Sequence, residues 1–292
     1  MKLQNYISLN RLIRKLVSTE MPYTSFVNDF IHHNKSFAIF GGSEKFKQKD
    51  NDSVLLVLDS SFNPPHLGHY TLIKNSVKFY QSKGITDLQI LLLLSVKNAD
   101  KGVKPAPFSK RMDMMQQFSK YINEQQLCNK NNSVILALTN HAKFVDKKNV
   151  IQDFIGHDSR TKIAFLVGFD TLVRIFDPKY YAPILVSEAL EEFMKTVEFC
   201  CLARDHDQTT IEIQHRYVSE ILDGEKEPQI PRSWGQKIHF IEFDEGVKSI
   251  SSSSIRQKVL ESRDQNSDDF LEFSLPTNLY EYIKKNSEIF YE

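Results

Sequence analysis

The chain is poor in most of the features that mark a specialised class. It has three cysteines, Cys128, Cys200 and Cys201, in 292 residues. That excludes a disulfide framework and a paired-cysteine zinc site. Cys200 and Cys201 are neighbours inside the apolar run "VEFCCLA", which points to a reducing compartment. Neither sign of charge is in excess, since 37 lysines and arginines face 37 aspartates and glutamates. No global field therefore recommends nucleic acid or an anionic membrane as a partner, and any recognition of phosphate must be local. No hydrophobic run approaches the roughly 18 residues of a membrane span. Tryptophan occurs once, at Trp234. No internal repeat is visible.

The stretch from Met1 to Thr19 carries Lys2, Arg11, Arg14 and Lys15 and no acid. A mitochondrial presequence can look like this. The simpler reading is an amphipathic helix packed on the domain, with a cytoplasmic or nuclear location.

What is present is alternation. Apolar, strand-like runs occur at Val54–Leu58, Leu88–Leu94, Val134–Thr139, Lys162–Val167, Val197–Ala203 and Lys237–Phe243. Between most of them apolar residues return at helical spacing, as in Tyr70, Ile73, Val77 and Tyr80 before Gly84. Ser109 is placed to cap the helix bearing Met112, Met115 and Phe118. Near-continuous apolar strands separated by helices imply a parallel sheet covered on both faces. The expectation is an α/β, doubly wound Rossmann-like sheet of about six parallel strands. It forms one domain over residues 1–292: a helical N-terminal extension (1–50), a core (53–260) and a C-terminal helical segment (265–292). The stretch Phe40–Asp52 reads as loop.

In such folds ligands bind beyond the carboxyl ends of strands. "DSSFNPPHLGH" follows the first strand at that edge. A residue before proline avoids the helical region, so Asn63-Pro64-Pro65 makes an extended turn. His66 and His69 then fall on one face of the helix that begins there. Gly68 removes a side chain where something must come close. A helix N-terminus already attracts anions, and two imidazoles add donors at the same spot. Far along the chain, "KSISSSSIRQKV" follows the last strand. Its serines can cap the next helix and offer hydroxyls and amides to an anion, while Arg256 supplies a fixed fork for phosphate oxygens.

"SSFNPPHLGH" resembles the HxGH motif of the nucleotidylyltransferase superfamily. More narrowly, it resembles the "GSFNP" opening of the nicotinamide/nicotinate mononucleotide adenylyltransferases, with Ser60 where that family usually has glycine. "ISSSSIR" resembles the family's "ISSTxIR", with Ser253 in place of threonine. "LVGFDTLVRIF" resembles its "GxDxLxxF" segment. The resemblance covers roughly residues 53 to 260 and looks closest to a divergent fungal-type branch. It implies transfer of AMP from ATP to a pyridine mononucleotide by direct in-line attack. His66, His69 and Arg256 would be catalytic, and Mg²⁺ would be carried by ATP rather than by a protein cage. ATP would be bound by Ser61, Phe62, Gly68, Lys101, Gly168, Asp170, Ser251, Ser252 and Ser253, with Arg111 a further candidate. Asp170 has a second reading as a helix N-cap. The acceptor would lie on Ser60, Ser61, Phe62 and Phe144. Phe144 or His141 would stand in for the tryptophan that the family often stacks on the pyridine ring.

The partners implied are small molecules, with neither nucleic acid nor membrane. The His32-His33, Arg204–Asp207 and His157-Asp158 clusters are read as solvated surface rather than metal ligands. Two rivals stay open at this point. One is an adenylyl- or cytidylyltransferase with another phosphorylated acceptor. The other is a regulatory protein of the same fold that binds or hydrolyses ATP.

Overall fold

Six of the seven residues of Ser53–Asp59 (SVLLVLD) are buried, as a strand covered on both faces requires. This strand is the middle of the fold. The structure is a computed structural model and describes residues 23–43, 46, 52–97, 106–128, 134–157, 159–203, 210–241, 245–247, 250–261 and 268–290. The strands are β1 (Phe37–Gly41), β2 (Ser53–Asp59), β3 (Asp87–Ser95), β4 (Ile135–Thr139), β5 (Lys162–Gly168), β6 (Val197–Leu202) and β7 (Ile238–Ile241). The helices before β5 are α1 (Tyr23–His32), α2 (Leu67–Ser82), α3 (Phe108–Glu124) and α4 (Phe144–Ile155). After it come α5 (Phe169–Ile175), α6 (Val186–Ala189), α7 (Glu191–Thr196), α8 (Ile211–Leu222), α9 (Ser252–Glu261), α10 (Asp268–Ser274) and α11 (Thr277–Lys285). None of the described helices is long and apolar enough to cross a membrane.

The sheet order is β1-β4-β3-β2-β5-β6-β7. The chain moves outward from β2 through β3 to β4, then returns to lay β5 on the other side of β2. That reversal opens a crevice beyond the carboxyl ends of β2 and β5. Alternate side chains of β2 serve opposite cores. Val54, Leu56 and Leu58 pack with Phe30, Leu72, Ile73, Met112 and Phe118 beneath α1, α2 and α3. Leu55 and Val57 pack with Ile151, Leu172, Phe193, Ile221 and Trp234 beneath α4, α5, α7 and α8. A third, smaller cluster joins Ile255 and Val259 of α9 to Leu279 and Ile283 of α11 and to Met114 of α3.

The six expected parallel strands are all present. A seventh, β1, pairs antiparallel with β4 at the sheet edge, Phe37 opposite Thr139. This corrects the reading of residues 1–50 as wholly helical and of Phe40–Asp52 as wholly loop. The five residues of β1, FAIFG, are only half-buried, as an edge strand allows, and so short an apolar run cannot be told from a helix segment by periodicity alone. α1 supplies part of the expected N-terminal helical extension, and residues 1–22 lie outside the described range. Pro107, not Ser109, occupies the N-cap of α3, with φ −59° and ψ 153°. Proline sets φ and lacks an N–H to satisfy, so the helix begins one residue after it, and Ser109 lies inside the first turn.

The amino edge of the sheet, opposite the crevice, holds a polar knot. Glu198 on β6 accepts from Tyr80 Oη at 2.8 Å and from Lys162 Nζ at 2.8 Å, and its Oε2 lies 3.2 Å from His239 Nε2. Burial pushes the Glu198 carboxyl up, but the three partners outweigh it and hold the group down at about 2.

Candidate active site

β2 ends at Asp59, and the next residues leave the sheet in a sharp turn. Ser60 is still tied to the neighbouring strand by its N–H, which donates to Leu93 O at 3.2 Å. Phe62 then adopts φ +46°, a left-handed conformation uncommon for a bulky residue and one that costs roughly 1–3 kcal/mol. Its ring is wholly buried and lies 5.8 Å from the ring of His69. Phe62 therefore works as packing under the histidine, and its side chain offers nothing to a ligand. Asn63 is 4% exposed, and its side-chain oxygen has no hydrogen-bond partner among the described residues. Ser61 is half-buried in the same turn.

His66 is the N-cap of α2, and no acid stands in that helix's first turn. The backbone N–H of His66 donates to His69 Nδ1 at 3.1 Å, and the two rings lie 3.8 Å apart, centre to centre. A Cβ on Gly68 would sit 2.9 Å from His66 Nδ1. What comes close at this glycine is thus the first imidazole itself. The Nε2 of His69 lies 3.0 Å from Ser60 Oγ.

The second motif closes onto the first. The Nη1 of Arg256 donates to Asn63 O at 2.7 Å, and its Nη2 donates to Ser253 Oγ at 3.1 Å. Ser252 Oγ donates to Pro64 O at 2.8 Å. Ser251 and Ser254 cap α9 reciprocally: Ser254 N–H donates to Ser251 Oγ, and Ser251 N–H to Ser254 Oγ, both at 3.0 Å. This is a capping box built from two hydroxyls where glutamate often serves, so the first turn of α9 holds no acid. Of the serines expected to meet ATP, Ser252 gives its proton to the protein. Ser253 accepts from Arg256 and keeps its own proton to donate.

Arg111 of α3 is 5% exposed, and its Nε donates to Ala106 O at 2.8 Å. Burial, and then the charge of Arg256, lower its pKa to about 10. Burial also lowers that of Arg256. Two guanidiniums close enough to repel each other are relieved by an anion placed near both.

Across the crevice the character changes. Gly168 is the N-cap of α5, and Asp170 lies in the first turn, so the reading of Asp170 as the cap is corrected. A Cβ on Gly168 would lie 2.7 Å from Asp170 Oδ1, so the glycine lets the carboxylate fold back over the helix end. On the other face, Lys147 of α4 forms a buried ion pair with Asp59 and lies 5.0 Å from the centre of the Phe144 ring. Phe144 also meets Phe165 edge-on at 5.1 Å. His141 ties strand ends together, its carbonyl accepting from Ser95 Oγ at 2.7 Å. Lys101 and the Arg204–Asp207 cluster lie outside the described residues. Among the described residues no group of three or more His, Cys, Asp or Glu is placed to hold a metal ion.

Four features of this region escape sequence reasoning: the left-handed Phe62, the Asn63 carbonyl as a seat for Arg256, the Ser60–His69 contact and the buried Asp59–Lys147 pair. Only the last left a trace, an acid at the end of an otherwise apolar strand.

A family model described as cytidylyltransferase-like matches residues 57–258. A Schizosaccharomyces pombe protein, provisionally named a nicotinamide mononucleotide adenylyltransferase, is 36% identical over 211 residues, covering 72% of this chain and 77% of that one. The solved structure of the Plasmodium falciparum nicotinic acid mononucleotide adenylyltransferase complexed with APC matches with a TM-score of 0.52 at 16% identity, over 83% of this chain and 99% of that one. At that identity the match bears on the fold alone. With both motifs in place at the crevice, the chain belongs to the cytidylyltransferase-like family, and within it to the nicotinamide/nicotinate mononucleotide adenylyltransferases.

Proposed function

We propose that this nucleotidylyltransferase joins ATP to nicotinamide or nicotinate mononucleotide, releasing pyrophosphate. The observation that carries the reading is the meeting of the two motifs: Arg256, from the far end of the core, seated on the carbonyl of Asn63, three residues before His66. The mononucleotide phosphate attacks the α-phosphorus of ATP in line. One P–O bond forms as the bond to the β-phosphate oxygen breaks, and pyrophosphate leaves with its electron pair. A phosphate monoester ionises twice by about pH 6, so no general base is needed. Catalysis consists of alignment and stabilisation of charge.

His66 and His69 stand at the N-terminus of α2 to meet the α- and β-phosphates, and Arg256 with the α9 turn to hold the departing pyrophosphate. Arg111 adds positive charge to the same side. Asp170 accepts hydrogen bonds from a nucleoside hydroxyl. Imidazole, hydroxyl, amide and guanidinium donors suit phosphate oxygens, whereas a hard cation seeks oxygen ligands, so Mg²⁺ comes on ATP as part of the substrate.

The test is product analysis. Purified protein is incubated with magnesium ATP and each mononucleotide in turn. Dinucleotide and pyrophosphate are expected, whereas ADP as the sole product, or no product with either acceptor, would overturn the reading.

A further inference from the structure

At the carboxyl end of β2 the hydroxyl of Ser60 lies against the imidazole of His69. Three of that ring's contacts bear on its tautomer and direction. The N–H of His66 donates to Nδ1 at 3.1 Å, so the lone pair is on Nδ1 and the neutral ring carries its proton on Nε2. The face of the ring lies 3.8 Å from that of His66. The third contact is the 3.0 Å approach of Nε2 to Ser60 Oγ. Given the tautomer, Nε2–H donates and Ser60 Oγ accepts. Ser60 is itself anchored, because its N–H donates to Leu93 O on β3 at 3.2 Å.

We propose that Ser60 is a positioning residue for His69. Before ATP binds, its oxygen holds the Nε2–H in the tautomer and direction in which that proton then meets a phosphate oxygen. The amide of His66 fixes one end of the ring and Ser60 the other, so the donor is aimed before substrate arrives. The gain is pre-organisation rather than a new contact with the nucleotide. This inference rests on the proposed adenylyl transfer only for its kinetic arm.

Two measurements test it. In the first, imidazole nitrogens are observed by NMR in the substrate-free protein, for wild type, Ser60→Ala and Ser60→Thr. Wild type should show His69 protonated at Nε2 with slow exchange of that proton. Ser60→Ala should speed the exchange and move the Nε2 signal, and Ser60→Thr should restore both. An Ala signal identical to wild type overturns the proposal, whether or not the protein makes dinucleotide.

The second measurement is a double-mutant cycle on turnover. Ser60→Ala should lower kcat about fivefold with KM for ATP within twofold, on the scale of a lost alignment. His69→Ala should lower kcat about a hundredfold or more, as for loss of a transition-state donor. Adding Ser60→Ala to His69→Ala should cost nothing further, since the two act as one unit. Multiplying effects would overturn the proposal. A wild-type chain that makes no dinucleotide would overturn the proposed function and leave the NMR arm to decide this one.

Discussion

At the scale of single residues the site turns on donors with no slack. Arg256 uses its two terminal nitrogens on different partners, Asn63 O and Ser253 Oγ. A lysine ammonium is a single point and cannot serve two acceptors fixed in a fork. Arg256→Lys should therefore raise KM for ATP by about tenfold, the equivalent of one charge-assisted hydrogen bond, while the melting temperature changes little. An unchanged KM would show that the guanidinium geometry is not used. At this scale the sequence was readable where chemistry demands a residue type. His66, His69, Gly68 and Arg256 stand out by their places at strand-to-helix junctions, and the structure seats Arg256 on the turn before His66. It was unreadable where backbone atoms do the work. The carbonyls of Asn63 and Pro64, which receive Arg256 and Ser252, carry no letter of their own. The positive φ of Phe62 runs against its residue type, so no propensity argument finds it.

At the scale of elements, the sheet has two different edges. Its carboxyl edge is left polar for ligand, and its amino edge is closed by the knot around Glu198. Held at about 2 in the fold against 4.5 ordinarily, Glu198 stabilises the native state fully above pH 4.5. That contribution fades as pH falls from 4.5 through 2. Glu198→Gln should cost about 1–3 kcal/mol near neutrality through weakened charge-assisted bonds. In thermal melts the gap between mutant and wild type should close below pH 4.5, and a gap that stays constant down to pH 3 would refute the assignment. The parallel strands were legible because burial on both faces demands continuous apolar runs. β1 was not, because a five-residue apolar run beside a helical pattern cannot be told from part of a helix by periodicity alone. The start of α3 was misplaced by two residues, since Pro107 ends the preceding loop more firmly than a hydroxyl begins a helix.

At the scale of the whole molecule, the C-terminal helix braces the site from behind. Leu279 of α11 is fully buried among Ile255 and Val259 of α9 and Met114 of α3. The brace is reinforced by Asn278 Nδ2 donating to Gln117 O at 2.7 Å and by Tyr282 Oη donating to Asp113 at 3.2 Å. Leu279→Ala should remove about 2–5 kcal/mol, lowering the melting point by about 5 °C or more. Because α9 and α3 carry Arg256 and Arg111, KM for ATP should rise as well. A lower melting point with unaltered KM would mean that the brace is only structural. The sequence marked this segment as helical but could not say what it packs against, since that depends on distant partners.

The stitch between Arg256 and the carbonyl of Asn63 also orders events in time. Nearly two hundred residues separate the two ends of that single hydrogen bond. A chain emerging from the ribosome can assemble β2 through β7 before this clasp can close, because Arg256 lies on nearly the last helix of the core. The proposed nucleotide site is thus completed late in the making of this polypeptide.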